Sequence, residues 1–307
     1  MLLIEWELIR KVLVKNKFSK YWSEFLEIIR RKEMSILPAH LAYYFIICVI
    51  PAFAIIFFVA SLFKIPTNAI SNFLTSTFSA SVSDMIIKNV TATSLGYNNI
   101  LLFLISFYVT SNGAKSIITA SNIVFNIKDS NVLKKTIKSF VITIFLIMLI
   151  TFILVVPLFG SHILKLLISI GIDTKIVNLI NMLYPVLKWP LTLFTIFIII
   201  KVIYTLAPDE KIKSSYVNKG ALFTTISWSL ITFIYSFYIN NIANYGILYG
   251  ALSNIVILML WFWLLSYVFV IGLVLNYKNS EEENEKTNTI KLKEIQERIK
   301  NSNAKLK

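Results

Sequence analysis

The chain has 307 residues, of which 57% are apolar and only 15% are charged. Soluble globular domains are about half apolar and about one quarter charged, so this composition indicates a membrane protein. The formal net charge of +14 raises the alternative of a nucleic-acid-binding protein, because clustered Lys and Arg neutralise phosphates. In the N-terminal tail, however, glutamates are interleaved with the basic residues. This pattern suits a membrane surface better than a polyanion, and no nucleic-acid partner is expected.

The first 34 residues have the apolar periodicity of a helix. Leu2, Trp6, Ile9 and Leu13 recur at helical spacing, and charged residues occupy the remaining faces. We predict an amphipathic helix over 1–34 that lies along the cytoplasmic interface; a soluble helix docked on the protein's own cytoplasmic loops fits the pattern equally well. The segment lacks an uninterrupted apolar core and a small-residue cleavage site, so a cleaved signal peptide is not expected.

Six apolar stretches follow, each near the ~20 residues that a helix needs to cross about 30 Å of hydrocarbon. They cover residues 38–62, 99–125, 137–160, 185–207, 220–244 and 250–277. The predicted fold is therefore all-α, a polytopic membrane protein with about six transmembrane helices in a membrane domain over 35–277. The loops 63–98 and 161–184 contain scattered apolar residues and are predicted to form short helices on the outer surface. Residues 278–307 are strongly charged and predict a cytoplasmic tail that is disordered or weakly helical.

The distribution of Lys and Arg predicts the orientation, because these residues are retained on the cytoplasmic side. With the N-terminus inside, the cytoplasmic segments hold most of the basic residues, whereas the outer loops hold only Lys64, Lys88, Lys165 and Lys175. Both termini are therefore expected in the cytoplasm.

Residues for catalysis or metal binding are scarce. All 16 acidic residues fall outside the six spans, which makes a proton- or sodium-coupled transporter less favoured. The sequence contains no Gly-rich phosphate loop, zinc motif or nucleophile elbow, and Cys48 is the only cysteine. His40 and His162 flank different spans and are interpreted as interfacial residues rather than ligands or bases. We therefore expect no catalytic, cofactor-binding or metal-binding residues.

The second span is unusual because one face of it is polar. At 100° per residue, one stripe contains Tyr108, Ser111, Asn112, Lys115, Thr119, Asn122 and Asn126. Lys115 lies about ten residues from the cytoplasmic end, or about 15 Å, which is beyond easy snorkelling. A charge at that depth costs at least ~2.5 kcal/mol unless it faces a wet cavity or a partner. We predict that this face lines a functional cavity, with Tyr108, Ser111, Asn112, Lys115, Thr119 and Asn122 as its candidate residues.

Other polar residues within the spans favour structural roles. The fifth span carries a hydroxyl stripe of Thr225, Ser229, Thr232 and Ser236 with Asn240, and such groups often bond helix to helix. Lys188 and Lys201 lie nearer the ends of the fourth span and are predicted to snorkel to the interface.

Several short patterns resemble the YihY/BrkB family of bacterial inner-membrane proteins. In the first two spans these are Leu41-Ala42-Tyr43-Tyr44, Pro51 and Asn112-Gly113, and after the fourth span they are Tyr204 with Leu206-Ala207-Pro208. The last two spans match in order and spacing at Gly220-Ala221, Phe233, Tyr238, Tyr245, Tyr249-Gly250, Trp261, Gly272 and Asn276. The resemblance covers about residues 38–276. The chain departs from it at Cys48, where many members have Ser, and at Val274, where the family pattern Gly-x-Glu-Leu-Asn has Glu.

The resemblance implies six helices and a bacterial plasma-membrane location. The family has been labelled a ribonuclease, but this chain offers no set of carboxylates, histidines or zinc ligands for phosphodiester cleavage. Our leading hypothesis is a non-enzymatic envelope protein that moves or holds an anionic lipid or small anion by means of the stripe around Lys115. The alternative is a scaffold that binds partner proteins through its N-terminus and tail. An enzyme acting on lipid head groups fits less well, and the sequence leaves the oligomeric state open.

Overall fold

A computed structural model of the chain describes residues 26–62, 97–169, 174–241 and 253–305, together with positions 75, 83, 84 and 87. Six long helices contain most of these residues. They are α1 (Lys32–Leu62), α2 (Tyr97–Val124), α3 (Val132–Ser169), α4 (Thr174–Leu206), α5 (Asn218–Asn241) and α6 (Ser253–Lys305). Each helix contains most of one predicted span, so the all-α polytopic membrane fold is confirmed.

Four segments of the described residues are long and apolar enough to cross a bilayer, judged by length and composition. They are Lys32–Ile56, Trp189–Leu206, Asn218–Tyr238 and Val256–Glu285, in α1, α4, α5 and α6. Helix α2 carries the polar stripe from Tyr108 onward, and many side chains in the second half of α3 lie outside the described set. The same four segments coincide with predicted spans in the first, fourth, fifth and sixth positions.

The six helices close into a ring. Each packs against its neighbours in the sequence, and α6 returns to pack against α1, with smaller contacts from α6 to α2 and from α1 to α3. The antiparallel order brings the start of α1, the connections 125–131 and 207–217, and the middle of α6 to one end of the bundle. There the Arg31 guanidinium lies 5.7 Å from the centre of the Tyr277 ring. Because most of the basic connecting residues lie here, we call this end the basic end.

The crossing of α4, α5 and α6 is a close polar contact. The fully buried Tyr204 hydroxyl lies 2.7 Å from Thr224 Oγ1 and donates to a main-chain carbonyl of α6 at 2.9 Å. The main-chain N–H of Gly220 donates to Asn276 Oδ1 at 2.8 Å. A Cβ atom on Gly220 would overlap the Gly272 carbonyl oxygen and Asn276 Oδ1, and one on Gly272 would overlap the Tyr204 and Thr224 oxygens. Glycine at both positions therefore lets the three helices approach closely.

The structure differs from the sequence predictions at several connections. The loop 161–184 was predicted to form short helices on the outer surface; its helical residues instead belong to α3, which continues to Ser169, and to α4, which begins at Thr174. Beyond the bundle, α6 continues as a helix to Lys305, where a disordered or weakly helical tail was predicted. Most of the predicted N-terminal helix and of the loop 63–98 lies outside the described residues, and α1 begins at Lys32, inside the predicted 1–34 segment.

Candidate functional site

The side chains on the polar face of α2 differ in burial. Tyr108 is 55% exposed, Ser111 is fully buried, and Asn112, Lys115 and Thr119 are half-buried. Asn122 is 1% exposed, and Asn126, nearest the basic end, is exposed. On the part of the face between Lys115 and the basic end, Asn122 is therefore the most buried side chain.

Lys115 is the one charged side chain on this face, and its ammonium Nζ lies 5.2 Å from the centre of the Tyr108 ring. A cation over an aromatic face gains about 0.5–2 kcal/mol, depending on how far it is desolvated. This gain is below the ~2.5 kcal/mol or more that an ammonium costs within the membrane. Among the described residues no carboxylate lies within ion-pair distance of Lys115, so the aromatic contact leaves part of the cost of its charge uncompensated.

The hydroxyl groups of the face donate their hydrogen bonds within α2. Ser111 Oγ donates to the Tyr108 carbonyl oxygen at 2.6 Å, and Thr119 Oγ1 donates to the Lys115 carbonyl oxygen at 3.0 Å. Such bonds to the preceding turn satisfy a hydroxyl without a neighbouring helix. The remaining donors on the half-buried part of the face are the Lys115 ammonium and the Asn112 amide, and both suit an anion.

The end of α2 turns sharply and thereby positions Asn122. Asn126 has a left-handed backbone with φ of 55°, which Asn tolerates better than most residues. The N–H of Asn126 donates to the Ile123 carbonyl oxygen at 3.2 Å, and that of Ile127 donates to the Asn122 carbonyl oxygen at 2.8 Å. These two bonds form a Schellman cap, which ends the helix and directs the chain back toward α3.

The amide of Asn122 binds two carboxylates that follow different helices. Its Nδ2 donates to Asp129 Oδ1 at 2.7 Å and to Asp209 Oδ2 at 2.8 Å. Its Oδ1 accepts the main-chain N–H of Asp209 at 2.9 Å. The sequence predicted Asn122 as a cavity residue; the structure places its side chain in contacts that join the α2–α3 connection to the end of α4.

Asp209 is the centre of this group, and only 3% of its side chain is exposed. It accepts from Lys138 Nζ at 2.9 Å and from the Ser130 main-chain N–H at 2.8 Å, in addition to Asn122. Lys138 Nζ also donates to the Pro208 carbonyl oxygen. We refer to Asn122, Asp129, Ser130, Lys138 and Asp209 as the Asp209 network.

Electrostatics favour the charged form of both carboxylates in the network. Burial by itself would raise the pKa of Asp209, but the hydrogen bonds from Ser130, Lys138 and Asn122 outweigh it and hold that pKa well below its usual range. Hydrogen bonds from Asn122 and from Lys135, whose Nζ lies 2.6 Å from Asp129 Oδ2, lower the pKa of Asp129. Both carboxylates are therefore ionised at neutral pH.

Sequence reasoning missed the Asp209 network. The available signal was one acidic residue within each of two basic connections. Asp129 lies among Lys128, Lys134 and Lys135 in the α2–α3 connection, and Asp209 directly follows Pro208 in the α4–α5 connection. The pairing of two connections about 80 residues apart depends on the closure of the helix ring, which periodicity does not reveal.

The remaining motif residues of the first two spans lie on α1 and α2. Pro51 lies inside α1, and Tyr43 is 59% exposed, with its ring edge-on to Tyr44 at 5.3 Å. A Cβ atom on Gly113 would lie 3.1 Å from Cys48 Sγ, so this glycine is in close contact with α1.

In the last two spans, Trp261 stacks on Tyr235 with ring centres 5.5 Å apart, and Gly272 and Asn276 form the α4–α5–α6 crossing described above. Tyr249 and Gly250 lie outside the described residues. Val274 is fully buried. Within the described ranges, His, Cys, Asp and Glu form no group of three that could hold a metal ion.

Comparison with known proteins agrees with the resemblance seen in the sequence. The family model described as virulence factor BrkB matches residues 25–295. The ribonuclease-like protein YfkH of Bacillus subtilis is 25% identical over 240 residues, which cover 76% of this chain and 86% of YfkH. A UPF0761 membrane protein of Idiomarina loihiensis is 31% identical over 93 residues, or 30% of this chain and 33% of the relative. No solved structure matches the chain. The chain is thus an integral membrane protein that belongs to the virulence factor BrkB (YihY/BrkB) family.

Proposed function

We propose that the protein is not an enzyme and that it binds an anionic lipid or small anion at Lys115, which it holds in the cell envelope or moves across the membrane. The supporting observation is the Lys115 ammonium, which is half-buried on a membrane helix and has the Tyr108 ring as its described partner. An anion would supply the missing countercharge.

The surroundings of Lys115 favour a ligand that is anionic and partly apolar. About 15–21 Å from Lys115 along the helix axis, the same side of α2 exposes Leu101, Leu104 and Ile105, which are 57%, 57% and 51% exposed. A phosphate head group at Lys115 would leave acyl chains against these apolar side chains. A small inorganic anion would use the ammonium alone.

The proposal includes an orientation and a location. The basic end collects Lys128, Lys134, Lys211 and Lys213, which are all exposed or half-exposed, and such residues are retained in the cytoplasm. We place the basic end, and with it both termini, on the cytoplasmic side of a bacterial plasma membrane.

Lipid transfer between liposomes tests the function directly. Purified protein reconstituted in donor liposomes is expected to transfer fluorescent phosphatidylglycerol faster than fluorescent phosphatidylcholine. Lys115→Met should reduce the phosphatidylglycerol rate at least about tenfold, whereas the matched variant Lys201→Met, which removes a half-buried lysine of α4, should not. Efflux of inorganic phosphate and chloride from the same vesicles distinguishes a small-anion substrate. Two results together would contradict the proposal. Wild-type protein would move neither the lipids nor the small anions, and wild type and Lys115→Met would copurify with equal amounts of anionic lipid.

A scaffold that binds partner proteins is the second candidate, and the length of α6 favours it. This helix continues to Lys305, far past the bundle, and its middle is tied to the α4–α5 connection by a bond from Asn279 Nδ2 to the Tyr216 carbonyl oxygen at 2.9 Å. A scaffold should lose its phenotype when residues 286–307 are removed and should keep it in Lys115→Met. The anion hypothesis predicts the opposite pair of results.

A further inference from the structure

We propose that the Asp209 network is a gate that closes the polar face of α2 at the basic end. This proposal rests on the proposed function for the identity of the ligand that passes the gate, namely an anion held at Lys115. The gate itself is inferred from three features: the burial of the Asn122 side chain, its position on the same face as Lys115, and the charge of the group that Asn122 binds.

The burial of the side chains singles out Asn122 between Lys115 and the basic end. Lys115 and Thr119 are half-buried, Asn122 is 1% exposed, and Asn126, which lies beyond it, is exposed. At 1.5 Å per residue, Asn122 lies about 10 Å beyond Lys115 along the axis and on the same side of the helix. A ligand at Lys115 therefore meets the Asn122 contacts before it reaches the basic end.

The group that closes the face is an anion, the Asp209 carboxylate, and several hydrogen-bond donors already bind it. The Asp209 carboxylate receives the Asn122 amide at 2.8 Å, the Lys138 ammonium at 2.9 Å and the Ser130 N–H at 2.8 Å. These are the donor types that bind a phosphate or carboxylate ligand. An anion that arrives from Lys115 can replace the Asp209 carboxylate as the acceptor for Lys138 and Asn122. Opening of the gate therefore leaves neither donor without a partner.

The gate joins the ends of α2 and α4, which are not neighbours in the ring. Asn122 lies near the end of α2, Asp209 follows α4, and α3, which supplies Lys138, packs against both helices. Breaking the hydrogen bonds of the network would release Asn122 from Asp209 and leave the α3 packing in place. The buried crossing of α4 with α5 and α6 at Tyr204 would remain closed.

Cysteine accessibility tests the gate without any lipid or anion. Thr119→Cys is introduced in a Cys48→Ala background, and an impermeant cationic thiol reagent is applied to vesicles from the basic-end side, which is identified by a separate Lys211→Cys reporter. Labelling of Thr119→Cys should be slow with the gate intact and at least about tenfold faster in Asp209→Asn. Lys219→Met is the matched control, since its ion pair with Glu282, at 3.9 Å, lies at the same end but outside the network. It should leave the labelling rate unchanged.

A double variant keeps the test decisive if Asp209→Asn fails to fold with Lys138 unpaired. Asp209→Asn combined with Lys138→Gln removes both charges together and leaves groups that can still hydrogen-bond. Faster labelling in the double variant supports the gate. Labelling as slow as in the parent, in a folded single or double variant, overturns it and makes the network a structural tie. The effect of Lys115→Met on lipid transfer does not depend on the labelling rates of the gate variants. Each of the two proposals can therefore fail while the other holds.

Discussion

Alanine at Gly220 is expected to destabilise the bundle, because the space for a side chain is already filled. A Cβ atom there would overlap the Gly272 carbonyl oxygen and Asn276 Oδ1, which belong to the backbone and to a buried, bonded side chain. Overpacking of this kind costs about 1–3 kcal/mol, and loss of the bond from the Gly220 N–H to Asn276 adds about 0.5–1.5 kcal/mol. The helix propensity of Ala returns up to about 1 kcal/mol. The net expected loss is about 1–3 kcal/mol.

Gly113→Ala is the matched control, since it also places a methyl group on a helix at a helix–helix contact. Its Cβ would lie 3.1 Å from Cys48 Sγ, which a small side-chain rotation can relieve, so we expect a change within about 1 kcal/mol. Apparent melting temperatures of the purified proteins in one detergent provide the measurement, and Gly220→Ala should melt several degrees below wild type. An unchanged melting temperature for Gly220→Ala, or a larger decrease for Gly113→Ala, would refute the reasoning.

Three further predictions concern orientation, pH and RNA. An impermeant thiol reagent should label Ser81→Cys from outside the cell but not Lys211→Cys; the reverse pattern would invert the proposed orientation. Because the folded-state pKa values of Asp129 and Asp209 lie below the unfolded value, the stabilisation by the Asp209 network is fully present above about pH 4 and is lost as the pH falls through the folded-state values. Thermal melting between pH 7 and pH 3 should therefore show a loss at the acid end that is smaller in Asp209→Asn. Rigorously purified protein should not cleave RNA with or without divalent metal, and cleavage that maps to a point mutation would show that the chain is an enzyme.

The helices were predictable from the sequence because the cost of burying backbone and charge in lipid is large and local. Six apolar stretches of about 20 residues each leave few alternatives, and the six long helices correspond to them. The ends were less predictable. At 161–184, scattered apolar residues predicted short helices on the outer surface. The helical residues there instead extend α3 to Ser169 and begin α4 at Thr174, since a helix satisfies its own backbone groups outside the membrane as well as inside.

The candidate site was only partly predictable, because periodicity places residues on a face but does not say what the face meets. Tyr108 and Lys115 were predicted on one face of the helix, and in the structure the Lys115 ammonium lies 5.2 Å from the centre of the Tyr108 ring. Asn122 shares the same periodicity, yet its partners are Asp129 and Asp209. Those contacts arise from the closure of the ring and from the Schellman cap at Asn126, and neither follows from a single helix.

The residues that carry the family resemblance and the residues that carry charge within the bundle are different sets, and this difference bears on mechanism. Gly220, Gly272 and Asn276 hold helices in contact, so their presence identifies the bundle rather than an activity. At Val274, where the resemblance implies Glu, this chain has a fully buried apolar side chain, and a mechanism that relied on a carboxylate there could not operate. An anion-binding mechanism at Lys115 needs no such carboxylate. It needs a cation without a carboxylate partner, and among the described residues of α2 Lys115 is such a cation, with the Tyr108 ring as its contact.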